Sequence, residues 1–254
     1  MSAAQGVDAD GCVLTVGDAP IQPEFQPLLA DVCAALAPLS LEGIYVYGSV
    51  ARGDASPGES DLDVTLVLAE PPSAQMLEHL ETLRLSLEQR HPVVTKIDFD
   101  IGHHAEVLAP ENTNRWGFWL KHHCRCVWGD DLSRRYERFR PTREIALAVN
   151  GDFEPVLNGY RERIEQAGTA PERLRLQREA ARKLIRATNT LRAHDEPTWP
   201  YTLEEHVALF IQHQPAMRIQ IAYFLFEARN PSAERELFIA RLQTFVSWMV
   251  SQPA

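Results

Sequence analysis

The sequence has no long apolar run. Within its 254 residues, no apolar stretch approaches the roughly 18 residues that a membrane-spanning helix needs. The first residues also lack the basic and then apolar layout of a signal peptide. The four cysteines form no pattern typical of a secreted disulfide framework. We therefore expect a cytoplasmic protein with reduced thiols and no membrane partner.

Basic residues are also scarce. The chain has 25 Lys and Arg against 35 Asp and Glu, which gives a formal net charge of -10 and a pI near 5.4. Only three residues are lysines, Lys96, Lys121 and Lys183. Because proteins that bind a nucleic-acid backbone usually present a basic face, this balance disfavours a nucleic-acid partner. It is more compatible with a small cationic ligand.

Hydrophobic periodicity divides the chain into two halves. In the first half, strands are predicted at 44–47, 61–68, 93–101 and 124–129, and helices at 22–39 and 71–92, with a short helix after Gly48. In the second half, helical segments are predicted at 132–165, 171–194, 203–229 and 232–251, with Pro155 and Pro215 as possible breaks. We expect an α/β (α+β) domain with a small mixed sheet at 1–135 and an all-α helical bundle at 136–254.

The segment YGSVARGDASPGESDLDVTLVL, residues 47–68, combines a Gly-Ser turn with an apolar strand that carries Asp61 and Asp63. Residues two apart on a strand project to the same face, so these carboxylates can share a divalent metal. Oxygen ligands of this kind favour Mg²⁺. Asp98, on the polar face of a later strand, can supply a third carboxylate, although Asp100 shares that face. Such a site suits in-line phosphoryl or nucleotidyl transfer.

The residues before this strand fit a phosphate-binding role. Gly48 permits close approach of the backbone to a phosphate, and Ser49 offers a hydroxyl and an N–H. A helix that begins there would add a favourable dipole. Arg52, on the same turn, has a guanidinium that can pair with a phosphate. We therefore predict that Gly48, Ser49 and Arg52 bind the phosphates of a nucleotide.

Gly48-Ser49, a gap of eleven residues and then Asp61-Leu62-Asp63-Val64 resemble the signature of the DNA polymerase beta-like nucleotidyltransferase superfamily. The resemblance implies a nucleotidyltransferase fold, Mg²⁺ at Asp61 and Asp63, a triphosphate at Gly48-Ser49 and a third acidic residue on a later strand. Asp98 matches that residue best, with Asp100 as the alternative. The segment VWGDDL, 127–132, is similar to the one that closes this domain in many bacterial members.

The length, the two-domain layout and the helical second half resemble the aminoglycoside adenylyltransferases that act on streptomycin-type drugs. That subgroup carries a glutamate as catalytic base, whereas the matching strand here carries aspartates. The resemblance implies an enzyme that moves AMP from ATP onto a hydroxyl of a small cationic acceptor and releases pyrophosphate. Asp98 would be both metal ligand and candidate general base. Two alternatives are open: a toxin-type enzyme that modifies tRNA or protein, and a non-catalytic nucleotide-binding module.

Three other features have both a structural and a functional interpretation. Lys183 and Arg186 form a compact basic spot with Arg182 on a predicted helix, either as a solvated face or as a contact to the triphosphate. The tryptophans at 116, 119 and 199 are more often packing residues than stacking platforms, although the loop HDEPTWPY, 194–201, could contact the acceptor. HHCRC, 122–126, lacks the second ligand pair that zinc sites need, so its cysteines are better interpreted as core residues.

Overall fold

The computed structural model of the chain describes residues 6–232 and 234–252. The remaining positions lie outside the described residues: 1–5, 233, 253 and 254. All of them belong to the two predicted domains, and 233 also belongs to the predicted helix at 232–251. Contacts divide the chain into two compact units. One is Val13–Phe139, and the other combines the described residues of Met1–Cys12 and Arg140–Ala254. The domain boundary after residue 135 stays a prediction, while the contacts separate the units after Phe139.

Val13–Phe139 is a mixed α/β unit, as the sequence predicts. In chain order its elements are α1 (Gln26–Leu36), β1 (Leu41–Tyr47), α2 (Gly48–Arg52), β2 (Leu62–Leu68), α3 (Ala74–Arg90), β3 (Ile97–His103), α4 (His104–Val107), α5 (Phe118–His122) and β4 (Arg125–Gly129). The four strands form one sheet in the order β3-β2-β1-β4. β1 pairs antiparallel with β2 and β4, whereas β2 and β3 are parallel, so the predicted mixed sheet is confirmed.

Both faces of the sheet are covered at its centre. Ile44 and Leu66 lie in a core that also includes buried residues of α1 and α3. On the other face, Tyr45 and Val67 pack with Trp116 and other residues that follow β3. Because side chains alternate along a strand, the face of Tyr45 and Val67 also carries the polar residues where β1 ends and β2 begins. The candidate site lies at that polar end.

β3 begins later than predicted. Alternation predicted a strand at 93–101, but the strand is Ile97–His103. Two of the residues after Pro92 instead bond to the loop that precedes β2: Gly58 N–H donates to Val93 O (2.7 Å), and Thr95 N–H donates to Ser60 O (3.0 Å). These bonds satisfy the backbone without a regular ladder, which local alternation does not reveal.

The second unit is helical, as predicted. Its helices are α6 (Arg143–Asn150), α7 (Phe153–Gln166), α8 (Ala170–Ala187), α9 (Leu203–His213), α10 (Arg218–Arg229) and α11 (Arg235–Val250). The predicted break at Pro215 is confirmed, since α9 ends at His213 and α10 begins at Arg218. The break near Pro155 lies at Gly151–Asp152, and Pro155 occupies the first turn of α7, where a missing N–H leaves no intrahelical bond unmade.

A cluster of apolar side chains from these helices forms the core of the second unit, and its aromatic members include Phe210, Phe224, Phe238 and Phe245. Pairs of these rings meet edge to face, for example Phe224 and Phe245 at 5.6 Å between centroids. Within the described ranges, no helix combines the length and the apolar character that crossing a membrane requires.

Candidate active site

The turn after β1 brings Gly48 against Asp63. Tyr47 is extended, and Gly48 has a φ of +71°, a conformation that L-residues with a side chain rarely adopt. β1 and β2 pair antiparallel with Tyr47 opposite Asp63, so the next residue lies beside that carboxylate. A Cβ built on Gly48 would lie 2.2 Å from Asp63 Oδ2. The glycine therefore leaves space that the carboxylate of Asp63 occupies.

Asp61 and Asp63 flank the first residue of β2. Leu62 and Val64 are fully buried, while both aspartates are half-buried on the opposite face. Thr95 Oγ1 donates a hydrogen bond to Asp61 Oδ1. An apolar strand can carry two carboxylates at this point because they lie at its end, where they keep contact with solvent and polar neighbours.

Asp98 lies next to Asp63 across the sheet. β2 and β3 are parallel, with Leu62 opposite Ile97 and Asp63 opposite Asp98. Tyr47, Asp63 and Asp98 are therefore in one row across three strands. The Asp98 carboxylate contacts the ammonium of Lys96, with 2.6 Å between Asp98 Oδ1 and Lys96 Nζ.

Asp100, the alternative third carboxylate, has a different partner. It lies opposite Thr65, two pairs further along the strands and on the same face, and Tyr47 OH donates to Asp100 Oδ2 at 2.6 Å. Burial raises the pKa of Asp100, the Tyr47 hydroxyl lowers it, and the neighbouring Asp98 raises it again. Burial and the same carboxylates raise the pKa of Tyr47 far above its usual range, so its hydroxyl stays protonated. The register favours Asp98 for the role beside Asp63.

The other predicted phosphate ligands, Ser49 and Arg52, lie in α2. Arg52 Nε donates to Asp54 Oδ2 at 3.1 Å, in a pair whose side chains are 35% and 61% exposed. Ser49 O accepts the N–H of Asp54 at 3.1 Å, which closes the turn after the helix. Because Arg52 lies at the surface, this ion pair contributes little stability, and the contact of Arg52 with a phosphate stays a prediction.

Lys183 and Arg186 belong to the helical unit, on α8. Lys183 Nζ contacts Asp152 Oδ1 at 2.9 Å and Asn150 Oδ1 at 3.3 Å, both near the start of α7. Arg186 is exposed. Their predicted contact with the triphosphate stays a prediction.

The three tryptophans have packing roles in the structure. Trp116 and Trp199 are buried, at 6% and 5% exposure. Arg192 lies 5.0 Å from the centre of the Trp199 ring. Trp119 is half-buried, donates from Nε1 to Thr65 Oγ1 at 3.2 Å and meets Tyr47 edge to face at 4.9 Å. Trp119 thus contacts Tyr47, which belongs to the row with Asp63 and Asp98.

His122 of the HHCRC segment is held as a neutral ring. Phe139 N–H donates to His122 Nε2 at 2.9 Å, and Nδ1 lies 3.3 Å from Leu14 O, which an N–H at Nδ1 can reach. Burial lowers the pKa of His122 from its ordinary 6.5 to about 4. Because both ring nitrogens have backbone partners and Cys124 is buried, this segment is part of the core, which agrees with its interpretation as a structural one.

This neutral histidine makes stability depend on pH. Between about pH 4 and 6.5 the unfolded chain binds a proton at His122 that the folded chain does not, so stability falls as pH falls through this window. We expect roughly 1–2 kcal/mol of the free energy of unfolding to be lost between pH 7 and 5 through this residue. Urea unfolding of the wild type and of His122→Gln at both pH values tests this. The variant should lose less stability on acidification, and equal losses would contradict the assignment.

The carboxylates suit a divalent cation by their chemistry. Asp61 and Asp63 offer hard oxygen ligands, and the missing side chain of Gly48 gives the Asp63 carboxylate its place. Over residues 6–232 and 234–252, however, no group of three or more His, Cys, Asp or Glu side chains is arranged to hold a metal ion. The described contacts give a reason, since Asp98 is held by Lys96 and Asp61 by Thr95.

Comparison with known proteins identifies the class of the first unit. Residues 28–116 match the family model described as nucleotidyltransferase domain. This segment contains β1, α2, β2, α3 and β3, and with them Gly48, Asp61, Asp63 and Asp98. Residues 28–116 thus form a nucleotidyltransferase domain, and the chain is an enzyme of the nucleotidyltransferase type.

A solved structure extends the likeness to most of the chain. The spectinomycin adenyltransferase AAD(9) from Enterococcus faecialis, solved with ATP and spectinomycin, has a TM-score of 0.57 at 14% sequence identity, over 87% of this chain and 98% of that one. At this identity the match shows a shared fold. In fold, the chain thus resembles an aminoglycoside adenylyltransferase, as the sequence predicted. No curated protein matches the sequence.

Lys96 is the candidate functional residue that the sequence analysis did not assign. Alternation placed it on the polar face of the predicted strand at 93–101, together with Asp98 and Asp100. The sequence did offer a signal for Lys96, because it is one of only three lysines in the chain and lies two residues before Asp98. Tyr47 and Thr95 were also not assigned, because their contacts with Asp100 and Asp61 depend on the pairing of strands distant in sequence.

Proposed function

We propose that this enzyme transfers AMP from ATP to a hydroxyl of a small cationic acceptor of the aminoglycoside class and releases pyrophosphate. The observation that carries the proposal is the row of Asp63 and Asp98 on neighbouring strands, with Asp61 at the start of β2 and Gly48 against Asp63. Carboxylates side by side at the end of a sheet are ligands that a divalent cation can use in nucleotidyl transfer, and the predicted phosphate-binding turn lies directly beside them.

Each residue has a specific role in this proposal. Asp61 and Asp63 hold Mg²⁺, with Asp98 as a third ligand, and the cation neutralises charge on the triphosphate when bound. Gly48 and Ser49 contact phosphate oxygens through the backbone, and Arg52 exchanges Asp54 for a phosphate. Lys183 and Arg186 supply further positive charge from the helical unit.

Asp98 is also the general base in this proposal. Its carboxylate accepts the proton of the acceptor hydroxyl as that oxygen attacks the α-phosphorus of ATP. A bond forms between the acceptor oxygen and the α-phosphorus, and the bond from that phosphorus to the bridging oxygen of the β-phosphate breaks. Pyrophosphate leaves with that oxygen.

Charge supports a cationic acceptor. The net charge of -10 disfavours a polyanionic partner such as tRNA, and carboxylates pair well with ammonium groups. The solved structure of similar fold contains spectinomycin together with ATP. Small aminocyclitol and aminoglycoside molecules are therefore the first acceptors to test.

The test uses ATP labelled at the α-phosphate, Mg²⁺ and a panel of spectinomycin, streptomycin and kanamycin. We expect at least one of these to gain the mass of one AMP, with release of pyrophosphate in equal amount. Label transferred to tRNA or protein instead would favour the toxin-type alternative. Binding of ATP without pyrophosphate release, with any of these acceptors, would favour a non-catalytic nucleotide-binding module.

A further inference from the structure

Lys96 lies within the set of candidate metal ligands. Leu62 N–H donates to Lys96 O at 2.9 Å, and in the parallel ladder Leu62 is opposite Ile97 and Asp63 opposite Asp98. Thr95 and Lys96 lie directly before this ladder: Thr95 Oγ1 donates to Asp61 Oδ1, and the Lys96 ammonium reaches the Asp98 carboxylate. Residues two apart on a strand project to one face, so three carboxylates and one ammonium share this end of the sheet.

The ammonium of Lys96 contacts the carboxylate of Asp98, which the proposed function uses both as a metal ligand and as a base. Lys96 Nζ lies 2.6 Å from Asp98 Oδ1, a short distance for an ion pair, and the two side chains are 34% and 39% exposed. Arg84, a cation on α3 that contacts Ile97 O at the start of β3, already binds Glu81 and Glu88. Among residues 1–120, Lys96 is the only lysine.

We propose that Lys96 is the internal counter-charge of this site: it neutralises Asp98 in the nucleotide-free protein and competes with a divalent cation for that carboxylate. The inference rests on the proposed function, which gives Asp61, Asp63 and Asp98 a cation to bind. Three carboxylates this close in the register repel one another, and each nearby positive charge lowers that repulsion. A cation that recruits Asp98 must first displace Lys96.

This competition has a functional consequence. The oxygens of a triphosphate offer the ammonium of Lys96 a second anionic partner. Nucleotide binding therefore makes Asp98 available, so the cation binds tightly only together with the nucleotide. A nucleotide-free enzyme would hold the cation weakly, and Asp98 would become a metal ligand and a base only once ATP is present.

The test measures Mn²⁺ binding to the full-length protein by electron paramagnetic resonance, first without nucleotide. We expect Lys96→Met to bind Mn²⁺ about tenfold more tightly than the wild type, the effect of one unit charge at a partly exposed site. Lys96→Arg should keep the wild-type affinity. Lys121→Met is the matched control, because Lys121 Nζ contacts the backbone oxygen of Ser133 at 3.4 Å, and it should leave the affinity unchanged.

A second measurement adds a non-hydrolysable ATP analogue. The increase in Mn²⁺ affinity that the analogue produces should be smaller in Lys96→Met than in the wild type, because the variant has no ammonium to displace. Equal increases would overturn the competition between Lys96 and the cation.

The outcomes separate this inference from the proposed function. Unchanged or weaker Mn²⁺ binding in Lys96→Met, with binding lost in Asp61→Asn, would overturn the role of Lys96 and leave the metal site in place. Binding that survives in Asp61→Asn would overturn the metal site instead. If neither the wild type nor Lys96→Met binds Mn²⁺, with or without the analogue, both are wrong. Circular dichroism shows that each variant is folded.

Discussion

Asp61→Asn and Asp63→Asn should each abolish nucleotidyl transfer, with a loss of about a thousandfold or more in kcat/KM, or about 4 kcal/mol of transition-state stabilisation. An amide keeps the size of the side chain but removes the charge that a divalent cation requires. Stability should change little, since the buried residues of this segment are Leu62 and Val64 on the opposite face. The main effect is therefore on chemistry and not on folding.

A matched control is available in the same loop. Glu59 is exposed, and its backbone N–H donates to Ser56 O at 3.1 Å, so Glu59→Gln removes one negative charge without touching the row of carboxylates. Pyrophosphate release should be unchanged in this variant. If Asp61→Asn or Asp63→Asn retained half of the wild-type rate, while Glu59→Gln behaved as expected, these carboxylates would not be the metal ligands.

Much of the first unit could be predicted because its signals are local. The Gly-Ser turn, the apolar run after Asp61 and the proline-bounded helix before β3 each carry their own periodicity or turn chemistry. The spacing between Gly48 and Asp61 also predicted the fold, because a Gly-Ser turn and an Asp-x-Asp strand at this spacing resemble the signature of one superfamily. These signals predicted a mixed sheet and a helical second half, and the structure confirms both.

The contacts inside the site could not be predicted, because they depend on register. Lys96 and Asp98 are near in sequence, but their position beside Asp61 and Asp63 follows from the parallel pairing of β2 and β3, which α3 connects. Local alternation extended β3 back to residue 93 and gave no sign that Val93 and Thr95 bond to the loop before β2. Strand pairing at a distance decides which side chains meet.

The same limit applies in the helical unit. The compact basic spot on α8 was visible from spacing, but the ion pair of Lys183 with Asp152 requires knowledge of how α7 and α8 pack. This pair is a structural alternative to the predicted contact with a triphosphate. The two side chains are 21% and 60% exposed, and Lys183 also contacts Asn150 Oδ1 at 3.3 Å, so a phosphate would have to replace both contacts.

Gly48→Ala should cost both stability and activity. A φ of +71° disfavours any residue with a Cβ by about 1–2 kcal/mol. The new Cβ would also lie 2.2 Å from Asp63 Oδ2, so the carboxylate must move away from the row that it forms with Asp98. We expect nucleotidyl transfer to fall by about a hundredfold or more, since an ångström of misplacement at a reacting centre can have that effect.

Gly58→Ala separates the effect of backbone strain from the effect of displacing the Asp63 carboxylate. Gly58 has a φ of +77°, close to that of Gly48, but a Cβ there would meet only Pro92 O, at an ordinary 3.9 Å. Both variants should lose about the same stability from backbone strain in urea unfolding, whereas only Gly48→Ala should lose transfer activity and Mn²⁺ binding. A Gly48→Ala enzyme with wild-type turnover would mean that the position of Asp63 does not depend on the space left by this glycine. Because the strain is matched, any further loss in Gly48→Ala measures the displacement of the carboxylate itself.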